Sequence, residues 1–550
     1  MRLPEAAPAL RRAETTIERF GGLVPQAMAG PADIVSMQGL SPHAHPALAP
    51  AAPLRVLEGF PGETVALYVS DEGLLAIQRV NDVYRFCLWR EGDAELQEVF
   101  AYRSGRGSVR SMRGAWFGDW LYMIEQNTFI DIPNNVSYPI HALCVKCKAL
   151  LDYEPEPGST YPQPGIGIRY PYGMPRYCVG EYLKCSYTRG GKPFESVVRI
   201  DRIEGDSIYA DMSAMEPVNE IDDEEFTVDG TMPEGLVAIF RSGDRLWGFT
   251  ENRIYATARN APSCWLPYPH FAPIDNAFSV GAPNVGRLLA GIDFRGEPIF
   301  FGSEGIIRIA GESPEDWRAE SITGRGLEQG SIFSPATVGD TLFYLSPEGV
   351  CAYRSGTPKL ISGFSPEPLM EGIGGSDGRC YILQARDASG ALHRFRYDPE
   401  SEGIYCEEPV SHVQFLRVGS SCFGIRDNMP VVLGGVDLST PLLDAMRESG
   451  IFSFVAEPTP SAAEFGPCEL DPGVCTPTEL IVRASVARGA RLAVGIRYGE
   501  GEDAPVEWRA LQGPLPATTH RFALRRRSAD SYALLLKGEG DWRVFALEAH

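Results

Sequence analysis

Apolar residues fall in short runs separated by tight polar turns, and one unit recurs: an apolar strand, a turn containing Gly or Asn, and a second apolar strand. It reads VALYVSDEGLLAIQ around Gly73, WLYMIEQNTFIDI around Asn127 and RLWGFTENRIYAT around Asn252. It continues as PIFFGSEGIIRIA around Gly305, TLFYLSPEGVCAY around Gly349, CYILQARDASGALHRF around Gly390 and CFGIRDNMPVVLG around Asn428. Gly and Asn accept the positive φ that a hairpin turn demands, and the flanking apolar residues bury the strands. From Asn252 the spacings are 53, 44, 41 and 38 residues, the period of a four-stranded blade with one such hairpin per copy. Runs such as Ile299–Phe301 and Thr341–Leu345 are apolar continuously rather than alternately, as strands covered on both faces must be. The predicted fold is all-β: a β-propeller of seven blades, or six if one hairpin belongs elsewhere. Hairpins gathered in one or two sandwiches are the alternative. No Asp-box, WD or Kelch signature occurs.

The repeat is interrupted once and flanked at both ends. Between Asn127 and Asn252 lies more chain than one blade needs, so residues 61–134 are expected to form the first blades and 231–449 the rest. Residues 135–230 are expected to be an insertion, a Pro- and Tyr-rich linker followed by a small β-subdomain built from YLKCSY, SVVRIDRIEG and SIYADM. Residues 1–60 show no regular period and read as an extended arm, with TIERFGGL (16–23) as its one apolar motif. Residues 450–475 read as a linker. From 476 to 550, alternation in ELIVRASV, RLAVGIRYG, HRFALRRR, SYALLLKG and DWRVFALEA predicts a compact C-terminal β-sandwich of about five strands.

Composition agrees with this picture. Fifty-eight Gly and 44 Pro in 550 residues favour many turns over long helices, and 44% hydrophobic with 22% charged residues is the balance of a globular chain. Fifty basic against 72 acidic residues give a net charge of −22, which disfavours a broad nucleic-acid grip. No apolar run approaches the ~18–20 residues of a membrane span, so no membrane insertion is expected. No export signal is evident near the start. Twelve Cys are ordinary usage, expected to act as small buried hydrophobes in a protein made in a reducing cytoplasm.

Candidate chemistry is sparse. Cys144 and Cys147 have zinc-ligand spacing, and with Cys178 and Cys185 a four-thiolate site is conceivable, but the second pair is too widely spaced and unrelated thiols are the expectation. The eight His show no metal-site spacing, and no nucleophile elbow, phosphate loop or dinucleotide fingerprint occurs. Asp222–Asp223 with Glu224–Glu225 lack the alternating oxygen ligands of a Ca²⁺ loop and read as a solvated acidic segment. Arg525–Arg527 read as the solvated edge of a strand rather than a phosphate contact. Neither a catalytic residue, a metal nor a cofactor is expected.

Three stretches, GDRLWGFTENRIYATARNAPSCW (243–265), SVGAPNVGRLLAGIDFRGEPIFFGSEGIIRIAGESPEDW (279–317) and GRGLEQGSIFSPATVGDTLFYLSPEGVCAY (324–353), resemble the propeller-containing virion structural proteins of tailed bacteriophages and prophages, the tail nozzle and tail accessory proteins. Residues 17–57 resemble that family's opening arm and 522–548 its closing β-domain, in the same order. One departure is Arg527–Asp530, where many relatives carry a more basic turn. The resemblance implies a non-enzymatic structural component of the phage tail, nozzle or head–tail connector, assembled after synthesis in the bacterial host cytoplasm. It implies other copies of itself in a ring, and neighbouring tail or connector proteins, as partners. Genomic DNA would pass without tight binding, because an acidic lining repels phosphates. Two other classes stay open: a host-surface adhesin stacking glycan on Tyr161, Tyr170, Tyr172 and Tyr177, and a propeller hydrolase.

Overall fold

The structure is a computed structural model describing residues 11–24, 29–52, 54–70, 73–103, 114–124, 128–134, 136–139, 145–150, 166–169, 179–204, 207–211, 225–322, 324–365, 367–407, 411–418, 421–433, 441–457, 460–471, 474–501 and 503–550. Among these residues, seven antiparallel sheets follow one another as blades of a β-propeller. Blades 1 to 6 span residues 63–103, 114–139, 238–281, 288–322, 336–360 and 369–407, each with four strands in sequence order. The continuous apolar runs behave as expected: Glu297–Gly302 is buried after its first residue and Thr341–Ser346 throughout, because each sheet is packed on both faces by its neighbours.

Blade 7 is composite. Its strands His412–Val418, Ser421–Arg426 and Met429–Leu433 are completed by Leu54–Glu58, which precedes blade 1 in sequence, and then by Ser453–Glu457. Val56 stands opposite Val431 on one side and Val455 on the other. The start of the propeller is thus stitched to its end, and the α-helix Pro441–Glu448 sets Leu443 and Met446 against Leu57 and Trp89 beside that seam.

A second stitch is a side chain. Gln414, on the inner strand of blade 7, accepts from Leu67 N at 3.0 Å and donates to Leu67 O at 2.9 Å on the inner strand of blade 1. An amide side chain carries the same donor and acceptor as a peptide group, so it pairs with a backbone as another strand would. Gln384 repeats the device between blades 6 and 7, accepting from His412 N at 2.6 Å and donating to His412 O at 3.1 Å. Gln414→Ala is expected to destabilise the protein by ~1–3 kcal/mol, the penalty for leaving partly buried backbone groups unpaired. Thermal unfolding of the variant, with faster amide exchange at Leu67, checks it.

Six of the seven recurring hairpins join the second and third strands of their blades, whereas Gly73 joins the first and second strands of blade 1. The expected positive φ is present at Gly73, Gly349, Gly390 and Asn428, but not at Asn252 or Gly305; Asn127 lies outside the described residues. At Gly305 a Cβ would meet Val285 Cγ1 at 3.3 Å, so close packing, not turn geometry, favours glycine there.

The insertion is a closed six-stranded barrel between blades 2 and 3, within 145–230. The sequence showed three of its strands; Val145–Leu150, Ile166–Arg169 and Glu225–Gly230 lie in segments whose periodicity is weak. The barrel rests on blade 3, where Tyr182 packs on Tyr268 and Phe271 with ring centroids 5.2 and 5.6 Å apart. Buried Arg245 organises that platform by donating to the carbonyls of Thr257, Ile274 and Asn276, each at 2.6 Å. Burial lowers its pKa to about 10, which leaves it charged at neutral pH.

The flanks differ from the expected arm and linker. Thr15–Ile17 pairs with Trp542–Ala549, and Ile34–Gln38 pairs with Ser461–Phe465, so both arm strands belong to the C-terminal sandwich. The expected linker 450–475 supplies Ser453–Glu457 to blade 7 and Ser461–Phe465 to the sandwich. These strands have three to five residues and partners hundreds of positions away, too short and too distant for a local period to reveal. The sandwich's two sheets close over Phe20, Phe465, Tyr532 and Trp542. The strand Val506–Gln512 also escaped the sequence pattern.

Candidate functional site

Two places concentrate buried space or charge. The first is the propeller axis, a cavity of ≈ 310 Å³ to which every blade contributes: Tyr68, Gly114, Ile239, Ile292, Phe333, Ile373 and Phe415, in blade order. Phe333 lies three residues before the first strand of blade 5, Ala336–Val338, and is exposed. No charged residue is among the described lining residues. The polar groups are engaged: the Gln414 amide on Leu67, and Tyr68 OH toward Met123 Sδ at 3.7 Å. Apolar walls without a base, a nucleophile or a cation offer packing rather than bond chemistry. The space is also too small for duplex DNA, whose major groove alone is ~12 Å wide.

The second is a buried charge cluster where the N-terminal arm crosses blade 6. Arg396 donates to Asp377 Oδ2 and, through Nε, to Glu407 Oε1 at 2.7 Å. Side-chain exposure is 3% for Arg396, 1% for Asp377 and 3% for Glu407. His43, in the short 3₁₀ turn Pro42–Ala44 of the arm, brings Nε2 to 3.2 Å from Asp377 Oδ2. Asp377 Oδ1 accepts from Arg379 N at 3.0 Å and Cys380 N at 2.7 Å. Arg394 Nε lies 2.9 Å from Glu407 Oε2, an ion pair without hydrogen-bond alignment. The arm also enters blade 6 through its backbone: Leu23 N donates to Ile404 O at 2.6 Å, and a Cβ on Gly22 would stand 2.2 Å from Ile404 N. Only glycine fits at that crossing.

One atom each of His43, Asp377 and Cys380 lies within 4.8 Å of the others, but the donor set does not suit a cation. Asp377 is already saturated by four donors, and the Arg396 guanidinium occupies the approach as a positive charge. Burial keeps the Cys380 thiol well above its usual range, hence protonated and a poor ligand. The arrangement is a latch between arm and blade, not a metal centre.

Burial alone raises the carboxyl pKa of Asp377 and Glu407, yet the Arg396 guanidinium, together with His43 and the Cys380 N–H at Asp377 and with Arg394 at Glu407, outweighs it and holds both below the ordinary carboxylate range. Groups so depressed contribute stability fully above the unfolded-chain pKa of ~4, and that contribution disappears as pH falls through the lower folded values. The protein is therefore expected to lose stability steeply below about pH 4. Urea midpoints at descending pH check this, and Asp377→Asn with Glu407→Gln should flatten the dependence.

The sequence-level candidates are distributed otherwise. Tyr161, Tyr170, Tyr172 and Tyr177 lie outside the described residues, as do Cys144, Cys178 and Asp222–Glu224. Cys185 is buried on the barrel strand Tyr182–Arg189. The described cysteines are free thiols, and burial raises Cys87 and Cys406 to about 11 and Cys264 and Cys422 to about 12. Arg525–Arg527 are not on a strand edge: the strand Leu515–Ala523 ends before them and they form an exposed irregular segment. The charge cluster was missed because its members come from residues 43, 377–398 and 407. The alternating Arg394 and Arg396 between apolar neighbours were its one visible trace.

No protein-family model and no curated protein matches the chain. Among solved structures, U3-55K is 8% identical, with a TM-score of 0.31 and coverage of 70% of this chain and 98% of that one. The WD40 domain of Toxoplasma gondii coronin is 9% identical, with a TM-score of 0.29 and coverage of 76% and 90%. The exo-β-1,3-galactanase of Phanerochaete chrysosporium is 10% identical, with a TM-score of 0.22 and coverage of 57% and 95%. These neighbours include both an enzyme and WD40 proteins, and the propeller of this chain rests on its own strand pairing.

Proposed function

We propose that the protein is a non-enzymatic structural component of a tailed-phage virion, assembling as a ring in the tail, nozzle or connector. The observation that carries this reading is the commitment of its strongest buried charges to internal fastening: Arg396, Asp377, Glu407 and His43 lock arm to blade, while no charged residue is among the described residues lining the axial cavity. Such an arrangement favours a stiff block over a reaction site. The family-like stretches at 17–57, 243–265, 279–317, 324–353 and 522–548 support the same reading. Because the axial cavity is too narrow for a duplex, DNA would pass through a lumen between copies, where a net charge of −22 per chain discourages adhesion. Light scattering of the purified chain, with negative-stain imaging of the same fraction, tests it. A closed ring with a central opening is expected; a 60.2 kDa monomer at every concentration overturns self-assembly.

A further inference from the structure

We propose that the axial cavity binds a small uncharged molecule, an apolar ring or chain bearing a carboxamide, whose amide pairs with the inner edge of blade 4. The site does not depend on self-assembly. Apolar side chains from all seven blades form its walls, and no charged residue is among the described ones lining it. Its ≈ 310 Å³ is about twice the ~150 Å³ apolar cavity that takes up benzene, and it lies at the lower end of the ~300–1,000 Å³ typical of small-molecule sites. Phe333 lines the cavity and is exposed, so the space is reached from solvent on that side. A charged ligand would lose its hydration there without meeting a counterion.

The polar part of the site is backbone. The innermost strand of each blade ends its sheet, so alternate peptide groups along it point at the axis and not at a neighbouring strand. Several of these groups are met from within the chain. Gln414 spans Leu67 N and O, and Gln384 spans His412 N and O. Ser331 Oγ accepts from Gly372 N at 2.7 Å, and Phe333 O accepts from Gly374 N at 2.8 Å. Blade 4 has no such clamp. Leu289, Ala290, Gly291 and Ile292 of its inner strand Leu288–Phe294 form the longest unbroken run of the lining. Among the described residues, no side chain or loop hydrogen-bonds their backbone from the axis side.

The clamps of blades 1 and 7 identify the matching chemistry. A primary amide carries both the donor and the acceptor of a peptide group, and Gln414 and Gln384 show that such a group fits an inner edge of this propeller. A ligand carboxamide would meet Leu289–Ile292 in the same way, with its apolar body among Ile239, Ile292, Ile373 and Phe415. An apolar molecule without the amide would cover the edge and leave its peptide groups without partners, which costs affinity.

Titration calorimetry of the full chain with naphthalene-2-carboxamide tests the site. Saturable binding of one molecule per chain is expected, with a dissociation constant on the order of tens of micromolar, ordinary for so few atoms. Naphthalene-2-carboxylate, equal in size but charged, should bind at least about tenfold more weakly. The N,N-dimethyl amide, which has no N–H to donate, should bind about fivefold more weakly or worse. Ala238→Leu adds bulk to the cavity wall and should weaken the carboxamide at least about tenfold. Ala238 is only half-buried, so the unfolding midpoint should hold. If it falls, amide exchange of the wild type decides, because the bound carboxamide should slow exchange at Leu289–Ile292. Absence of saturable binding overturns the proposal. Equal affinity for the carboxylate or the dimethyl amide also overturns it, as does protection confined to segments away from the axis.

Discussion

Replacing Arg396 with methionine is expected to destabilise the protein by about 3–5 kcal/mol, the range for removing one partner of a buried ion pair. The substitution leaves the Asp377 and Glu407 carboxylates in a site from which water is excluded, and a buried charge without its counterion is among the most destabilising lesions a core can carry. His43 would keep Asp377 partly compensated, whereas Glu407 would retain only Arg394, whose alignment with it is poor. The effect should exceed by severalfold that of Arg308→Met, which breaks an exposed pair at 2.8 Å worth at most ~1 kcal/mol. Adding Asp377→Asn and Glu407→Gln to Arg396→Met should recover part of the loss, because two stranded charges are then removed. Urea unfolding of the three proteins at neutral pH decides the matter. An Arg396→Met variant no weaker than Arg308→Met would show that the cluster stabilises nothing.

The same cluster marks the limit of what the sequence discloses. Each blade announced itself because strand, tight turn and strand are neighbours, so burial imposes a pattern within about a dozen residues, as around Gly349 or Asn428. The blade count followed from those hairpins, although in blade 1 the visible hairpin is the first rather than the central one. Fastenings between remote segments leave no such trace. Thr15–Ile17 shows neither its pairing to Trp542–Ala549 nor the 2.6 Å contact between the Thr15 hydroxyl and Tyr532 OH. His43 in the sequence stands between Pro42 and Ala44 with no acidic residue nearby, and only the folded chain sets it against Asp377. The isolated Gln414 and Gln384 look like ordinary strand residues until their amides meet the backbone of the next blade. Arg525–Arg527 were misplaced onto a strand because the apolar alternation of HRFAL runs directly into them.

Proline at position 56 is expected to destabilise the protein by ~3 kcal/mol or more and to open the propeller between blades 7 and 1. Val56 is central in its sheet, with Val431 opposite on one side and Val455 on the other. Proline removes a ladder donor, fixes φ and is tolerated essentially only at sheet edges. Val455→Pro, on the outermost strand of the same blade with its side chain 45% exposed, is the matched control and should be much milder. The difference arises from topology: Leu54–Glu58 alone carries the start of the propeller into its last blade, and Leu57 beside it anchors the packing of Leu443, Met446 and Trp89. Losing that strand also loosens the arm immediately upstream, since residues 22–50 reach the sandwich and blade 6 from the same stretch of chain. Amide exchange should therefore accelerate in blades 7 and 1 and at Leu23, while blades 3 to 5, remote from the seam, keep their protection. Uniform acceleration over all seven blades would mean that the ring opens as a single unit, and unchanged exchange at 423–432 would mean that this strand does not hold it closed.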